Sequence, residues 1–202
     1  MPTPERRRQT FTHPIDQIWK PGYSVQLAIG QGDLTVTPLQ MARFYALIAN
    51  GGKLVTPHVL LDVEDPGANG TASRVLRPYT QGVVQASGVD PSALAVVKEG
   101  LYEATHSSIG TSSGVFGSFP VPIAGKTGTA EKVVHIPGYP HGLLLNQSWW
   151  CGYGPAPNPT IVVCALIENG GHGGVAAAPA ALKVFEQYFH KSAGSQGSVK
   201  TD

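Results

Sequence analysis

The chain is organised around one stretch of sequence, Ile123-Ala124-Gly125-Lys126-Thr127-Gly128-Thr129-Ala130-Glu131. Successive side chains of a strand point to opposite faces, so the hydroxyls of Thr127 and Thr129 would share one face. Gly128 has no side chain and lets another backbone approach closely. Lys126 and the two hydroxyls are suitable donors for a carboxylate. The stretch therefore predicts an edge strand that can bind an extended peptide by adding it to the sheet.

Further strands and a helix are predicted downstream. The motif strand is expected over residues 121–134, and apolar runs predict two more strands over 147–154 and 160–168. The Pro-rich segment 155–159 has the composition of a hairpin turn. Apolar residues at helical spacing predict a final helix over 176–190.

Two helices are predicted upstream of the motif strand. Thr37-Pro38 is a suitable N-cap and first turn for a largely buried helix that ends at Asn50-Gly51-Gly52. Asp90-Pro91 begins a second helix that runs to about residue 105, and residues 55–63 resemble a strand. The order predicts an α/β protein of the α+β type, with an antiparallel sheet flanked by helices.

The remaining segments are predicted to be irregular. Residues 1–22 are expected to form an extended leading segment, with Arg6-Arg7-Arg8 as a solvated basic cluster. Residues 23–190 would form the domain, and the Ser/Gly-rich residues 191–202 a disordered tail. The Ser/Thr/Gly-rich residues 106–119 are expected to form a loop near a site.

Composition narrows the possible functions. The net charge of +1 over 202 residues gives no electrostatic argument for a nucleic-acid partner. An apolar fraction of 42% and a charged fraction of 13% indicate a folded domain. No apolar run reaches the ~18 residues of a membrane helix, and residues 1–20 do not resemble a signal peptide. No pattern calls for a cofactor.

Two interpretations of the cysteines are open. Cys151 and Cys164 each lie in an apolar, strand-like run, which favours two buried free thiols. The two runs are expected to pair as a hairpin, which could bring the thiols together as a disulfide in an oxidising compartment. Two thiols alone cannot complete a zinc site.

Seven segments together carry a resemblance to a known family. They are Pro2-Thr3-Pro4-Glu5, Ala28-Ile29-Gly30-Gln31-Gly32, Thr35-Val36-Thr37-Pro38-Leu39-Gln40-Met41-Ala42, Ala49-Asn50-Gly51-Gly52, Gly125-Lys126-Thr127-Gly128-Thr129-Ala130-Glu131, Ser148-Trp149-Trp150-Cys151-Gly152-Tyr153-Gly154-Pro155 and Glu168-Asn169-Gly170-Gly171-His172-Gly173-Gly174. In this order they resemble the class B penicillin-binding proteins, in particular the penicillin-binding protein 2 group. The resemblance implies a penicillin-binding protein/serine β-lactamase-like fold and a D,D-transpeptidase that cross-links peptidoglycan.

The resemblance also implies site roles. Lys126, Thr127, Gly128 and Thr129 would bind the carboxylate of a D-Ala-D-Ala stem peptide or of a β-lactam. The backbone N–H of Thr129 would contribute to the oxyanion hole, and Lys126 would contact a serine of the second family motif. For the full-length protein, the resemblance implies the extracytoplasmic face of the bacterial membrane and a membrane glycosyltransferase partner.

Two of the family's three motifs are absent from the sequence. No serine has lysine at the third following position, and no Ser-x-Asn triplet occurs. In the family both motifs precede a segment like Pro2-Thr3-Pro4, so the resemblance implies a C-terminal piece that is inactive alone because it lacks the nucleophile. The alternative is a non-catalytic peptidoglycan-peptide-binding or regulatory fragment. A serine β-lactamase is a third possibility, and the Gly30-Gln31-Gly32 and Thr37-Pro38 segments favour the transpeptidase.

Other polar and aromatic residues are assigned structural roles. A serine cluster before the motif could hide another nucleophile, but a loop beside a cleft is the preferred interpretation; its members are Ser107, Ser108, Ser112 and Ser113. One ring of Trp149-Trp150 is expected in the core and one at the surface. Three histidines lack the paired spacing of metal ligands; they are His135, His141 and His172.

Overall fold

A computed structural model describes residues 2–65, 73–78 and 84–193 of the chain. Its helices are α1 (Pro4–Thr10), α2 (Pro21–Ala28), α3 (Pro38–Ala49), α4 (Pro91–His106), α5 (Ser113–Phe116) and α6 (Ala177–Phe189), with a 3-10 helix at Pro14–Gln17. Its strands are β1 (Lys53–Leu54), β2 (Asp62–Asp65), β3 (Arg74–Pro78), β4 (Gln85–Ala86), β5 (Ala124–Val134), β6 (Leu143–Gly154) and β7 (Ile161–Ile167). The predicted tail lies outside the described residues from position 194 onwards.

The main sheet is antiparallel with the order β5-β6-β7. Helix α6 packs on one face of β6 and β7, and α3 packs on the other. Two small antiparallel pairs, β1 with β4 and β2 with β3, complete the described strands. The prediction of an antiparallel sheet flanked by helices is confirmed, as are the three predicted strands and the final helix.

The sheet has an apolar core on each face, and successive side chains of β6 point alternately into one core and the other. Trp150 faces α6, where its ring stacks on Phe116 with 4.5 Å between centroids and meets Phe185 edge-on. The next residue, Cys151, and also Tyr153 face the opposite core beneath α3 and α4. Trp150 is fully buried and Trp149 is half-buried, close to the division expected for this pair.

The cysteines form a disulfide, so the interpretation as free thiols is wrong. The register of β6 and β7 places Cys151 directly opposite Cys164, with a Cα–Cα distance of 4.2 Å. This separation is close to that of a non-hydrogen-bonded antiparallel pair, where opposite side chains approach most closely. Sequence spacing could not fix the register of the hairpin, and the register decides the pairing.

The predicted helix caps are confirmed. The Thr37 hydroxyl accepts from the Gln40 backbone N–H, and the Gln40 side chain accepts in return from the Thr37 N–H, which is a capping box. Asp90 caps α4 through the Ser92 N–H at 2.7 Å. The expectation that α3 is largely buried is only partly right, because Leu39 and Phe44 are 62% and 54% exposed. The sheet covers one side of the helix only.

The strand predicted over residues 55–63 is wrong for most of its length. Residues 55–61 belong to no strand, and β2 begins only at Asp62, where it pairs with β3. Pro57 lies inside the predicted run and has no N–H to donate to a ladder. The predicted loop over 106–119 also contains α5, whose Val115 and Phe116 are fully buried in the core.

The prediction of an extended segment over residues 1–22 is wrong. Each helical turn there begins at a proline that occupies the first or second helical position, and the Thr3 hydroxyl caps α1 by accepting from the Arg6 N–H at 3.1 Å. Arg7 is not solvated but 7% exposed, with its guanidinium 3.8 Å from the Tyr23 ring centroid. It also forms an ion pair with Asp33. The guanidinium is therefore buried with a charge partner and an aromatic face.

The segment before α6, residues 172 and 173, packs against the middle of the main sheet and is hydrogen-bonded to it. The buried Ser148 hydroxyl donates to the His172 carbonyl at 2.9 Å and accepts from the Ala177 N–H at 3.0 Å, which satisfies a donor at the start of α6. Gly173 lies so close to β5 and β6 that a Cβ there would be 2.4 Å from the Trp149 carbonyl oxygen and 2.6 Å from that of Gly128. The close backbone approach predicted at Gly128 is made by Gly173.

We expect Gly173→Ala to lower the free energy of unfolding by about 3 kcal/mol, because its methyl group would collide with the backbone of both strands. Gly100→Ala in α4 is the matched control. A Cβ at Gly100 meets nothing within 4 Å, so that change should raise stability by about 0.5–1 kcal/mol. Urea denaturation checks both values, and equal stabilities of the two variants would contradict this packing.

Two buried tyrosines predict a loss of stability at high pH. Burial raises the pKa of Tyr45 and of Tyr153 to about 12 from 10.0. Between these values the unfolded chain has released protons that the folded chain retains, so stability is full below pH 10 and falls towards pH 12. The loss is about 2–3 kcal/mol for each tyrosine. Urea denaturation across this interval should show a smaller fall for the double variant Tyr45→Phe/Tyr153→Phe, and equal falls would refute the assignment.

Candidate functional site

The motif occupies the outer strand of the described sheet. Lys126 to Thr129 lie near the start of β5, which pairs along its whole length with β6, so Thr127 lies opposite Trp150 and Thr129 opposite Ser148. The other long side of β5 carries no strand among the described residues. The structure thus brings the four predicted residues together at a sheet edge.

The Lys126 side chain bends back over the strand. Its Nζ lies 2.8 Å from Thr127 Oγ1, 3.2 Å from the Thr127 carbonyl oxygen and 3.0 Å from Thr111 Oγ1. An ammonium group has three donors, so these three contacts use them all. All three acceptors are neutral, and within the described parts of the chain Lys126 takes part in no ion pair. The exposed ammonium therefore keeps a net positive charge at a fixed position.

Thr127 and Thr129 point to the same face, as the strand alternation predicts, but they have different surroundings. Thr127 is 5% exposed, and its hydroxyl contacts Thr111 Oγ1 at 2.7 Å. Thr129 Oγ1 accepts from the Gly173 N–H at 3.3 Å. The Thr127 hydroxyl thus contacts Lys126 and Thr111, whereas the Thr129 hydroxyl is hydrogen-bonded to the segment before α6.

The Gly30-Gln31-Gly32 turn contacts the motif. Gln31 Nε2 donates to the Thr129 carbonyl oxygen at 2.7 Å, although the two residues are 98 positions apart. The flanking glycines have φ values of 74° and 78°, which favour glycine in a turn this tight. The next residue, Asp33, is the partner of Arg7, so the N-terminal helices are tied to the turn that contacts Thr129.

Thr111 and Gln31 are site residues that were not singled out as such from the sequence. Thr111 lies within the Ser/Thr/Gly-rich loop expected near a site, but nothing in the composition of that loop distinguishes Thr111 from the serines beside it. Ser112 and Ser113 are engaged elsewhere: the hydroxyl of Ser112 donates to the Ala104 carbonyl, and that of Ser113 to the Gly110 carbonyl. Gln31 lies in a family segment, but its contact depends on a tertiary arrangement that spacing does not reveal.

The described residues contain neither a metal-binding cluster nor a membrane-spanning helix. No three or more histidine, cysteine, aspartate or glutamate side chains there are grouped to hold a metal ion. None of the helices in the described ranges combines the length and apolar character needed to cross a bilayer.

Comparison with known proteins agrees with the geometry. A family described as penicillin binding protein transpeptidase domain matches residues 14–186. The chain is 32% identical over 199 residues to the peptidoglycan D,D-transpeptidase MrdA of Haemophilus influenzae, covering 95% of this chain and 29% of that protein. It is 32% identical to MrdA of Acinetobacter baumannii, covering 93% of this chain and 27% of that one. The chain thus spans less than a third of the length of these curated relatives.

Solved structures give the same result. Penicillin-binding protein 2 of Pseudomonas aeruginosa in complex with WCK 5153 matches with a TM-score of 0.73 and 30% identity, covering 99% of this chain and 39% of that one. The complex of penicillin-binding protein 2 and MreC from Helicobacter pylori matches with a TM-score of 0.65 and 26% identity, covering 88% and 29%. The resemblance to the penicillin-binding protein 2 group is confirmed, and the chain belongs to the penicillin-binding protein transpeptidase domain family.

Proposed function

We propose that this chain provides the Lys126-Thr127-Gly128-Thr129 side of a peptidoglycan D,D-transpeptidase site. In this role it binds the terminal carboxylate of a D-Ala-D-Ala stem peptide, or the carboxylate of a β-lactam that occupies the same place. The reaction of the complete site is acylation of a serine with release of D-Ala, followed by transfer of the acyl group to an amine of a second stem peptide.

The observation that carries the proposal is the Lys126 ammonium, whose contacts at the sheet edge within the described residues are all to neutral oxygens. A ligand carboxylate near this group would take one of its donors from a neutral oxygen, form a charge-assisted hydrogen bond in exchange, and neutralise the cation. The Thr127 hydroxyl lies 2.8 Å from the same nitrogen, so a carboxylate there can contact a hydroxyl as well.

The backbone of Thr129 supports the oxyanion role. Its carbonyl accepts from Gln31, which lies outside the sheet, so this carbonyl points away from β6. In a strand the N–H and C=O of one residue point to the same side. The N–H of Thr129 therefore faces the edge where a substrate carbonyl would lie, and an N–H there can stabilise the charge that develops on the oxygen during acylation.

The nucleophile is proposed to come from outside these 202 residues, because the sequence has no serine followed by lysine at the third position. On this proposal the chain alone binds ligands without reacting. The same absence favours a second candidate function, a non-catalytic peptidoglycan-peptide-binding or regulatory fragment. The two differ in whether a chain that supplies the serine restores acylation.

The wider setting is also a proposal. Residues 23–190 would form a C-terminal portion of the transpeptidase domain, at the extracytoplasmic face of the bacterial membrane in the full-length protein. A membrane glycosyltransferase would be its partner there. One matched solved structure pairs penicillin-binding protein 2 with MreC, which makes a contact of that kind a candidate as well.

We expect Lys126→Ala to weaken binding of N-acetyl-D-Ala-D-Ala by about 10- to 100-fold, the loss of one charge-assisted hydrogen bond. Isothermal titration calorimetry measures the change. Lys132→Ala is the matched control, since Lys132 lies on the same strand but is exposed and faces Glu168 at 3.4 Å. Equal affinities of both variants, or equal binding of the peptide and its carboxamide, would disprove carboxylate recognition by Lys126.

We expect no covalent product when the chain is incubated with a fluorescent penicillin and run on a denaturing gel. Loss of the nucleophile in a comparable serine enzyme lowers the rate about a million-fold. A full-length penicillin-binding protein 2 serves as the positive control. A fluorescent band at the mass of this chain would show that one of its own side chains is acylated.

A further inference from the structure

Thr111 is held firmly where it meets the motif. Its neighbour Ser112 is 1% exposed, donates its backbone N–H to the Ala104 carbonyl at 3.1 Å, and accepts from Trp150 Nε1 at 3.3 Å. On the other side, a Cβ at Gly110 would be 2.7 Å from the carbonyl oxygens of α4, so the loop backbone lies directly on that helix. Thr111 therefore projects from a backbone that packs directly on α4 and is anchored at Ser112.

The hydroxyl of Thr111 closes a triangle with two motif groups. Its Oγ1 lies 3.0 Å from Lys126 Nζ and 2.7 Å from Thr127 Oγ1, while Nζ and Thr127 Oγ1 are 2.8 Å apart. Thr127 supplies both of the other acceptors of the ammonium. Thr111 is thus the one partner of Lys126 among the described residues that lies outside β5.

A second anchor matters because of the length of lysine. The side chain has four carbons and carries about 2 kcal/mol of rotamer entropy, which a ligand must overcome if the ammonium is not already ordered. Thr127 alone holds Nζ from within its own strand. Because Thr111 also accepts from it, the ammonium is held by two separate parts of the chain, β5 and the loop that packs on α4.

We propose that Thr111 is a positioning residue that holds the Lys126 ammonium and the Thr127 hydroxyl in place for one ligand carboxylate. The identity of the ligand rests on the proposed function, but the effect of Thr111 on Lys126 does not. Thr111 acts through Lys126 and needs no contact with the reacting atoms.

The test compares three variants of the 202-residue chain. Thr111→Val removes the hydroxyl and keeps the shape, Thr111→Ser keeps the hydroxyl, and Thr56→Val makes the same valine change at an exposed position on another segment. Circular dichroism confirms that each variant is folded. Nitrogen-15 relaxation of the Lys126 side chain measures its mobility, and calorimetry measures binding of N-acetyl-D-Ala-D-Ala.

We expect Thr111→Val to increase the mobility of Lys126 Nζ and to weaken the dipeptide about three- to tenfold, the effect of one lost hydrogen bond. Thr111→Ser and Thr56→Val should match the parent chain in both measurements. Unchanged mobility in Thr111→Val would overturn the proposal, and so would equal effects of valine and serine at position 111. If the parent binds no dipeptide, the proposed function fails, and the mobility of Lys126 still decides whether Thr111 positions it.

Discussion

The pairing of β5 with β6 determines where the rest of the described structure can lie. Because side chains alternate along a strand, this register assigns each residue to the core under α6 or to the core under α3 and α4. A slip of β6 by one residue against both neighbouring strands would exchange the places of Trp150 and Cys151 and would move Cys151 out of line with Cys164. A slip of β5 by one residue would likewise carry Thr127 and Thr129 to the other face. The fold and the site therefore depend on the register of β6 with both of its neighbours.

Local signals made much of the fold predictable. Caps at Thr37 and Asp90 begin α3 and α4, and both are side-chain contacts between residues two or three positions apart. The prolines at the starts of α1 and α2 carried a signal of the same kind, which was outweighed by the polar composition of residues 1–22. The strand prediction for residues 55–61 was wrong because their composition is apolar, but no strand of the described chain pairs with them.

Only the part of the candidate site that lies within β5 could be predicted from the sequence. Lys126 and Thr127 could be placed from the motif, because their relation is local. Thr111 is 15 positions away from Lys126 and Gln31 is 98 from Thr129, so their contacts depend on how α4 and the N-terminal helices pack. The burial of Arg7 has the same origin. From composition alone Arg7 is one member of a basic cluster, and only the tertiary structure places Asp33 and Tyr23 beside its guanidinium.

The outer side of β5 pairs with no other strand of the described residues, yet carbonyls along it and just before it already accept hydrogen bonds from side chains. They are the carbonyls of Ile123, Thr127 and Thr129, with Thr105, Lys126 and Gln31 as the donors. A bare edge is a template on which a second protein chain can assemble. Here the side-chain donors occupy carbonyls that a second chain would otherwise bond, which disfavours such self-association. In the proposed function an incoming peptide would exchange one of these hydrogen bonds for its own, so an edge that disfavours self-association would still accept a ligand.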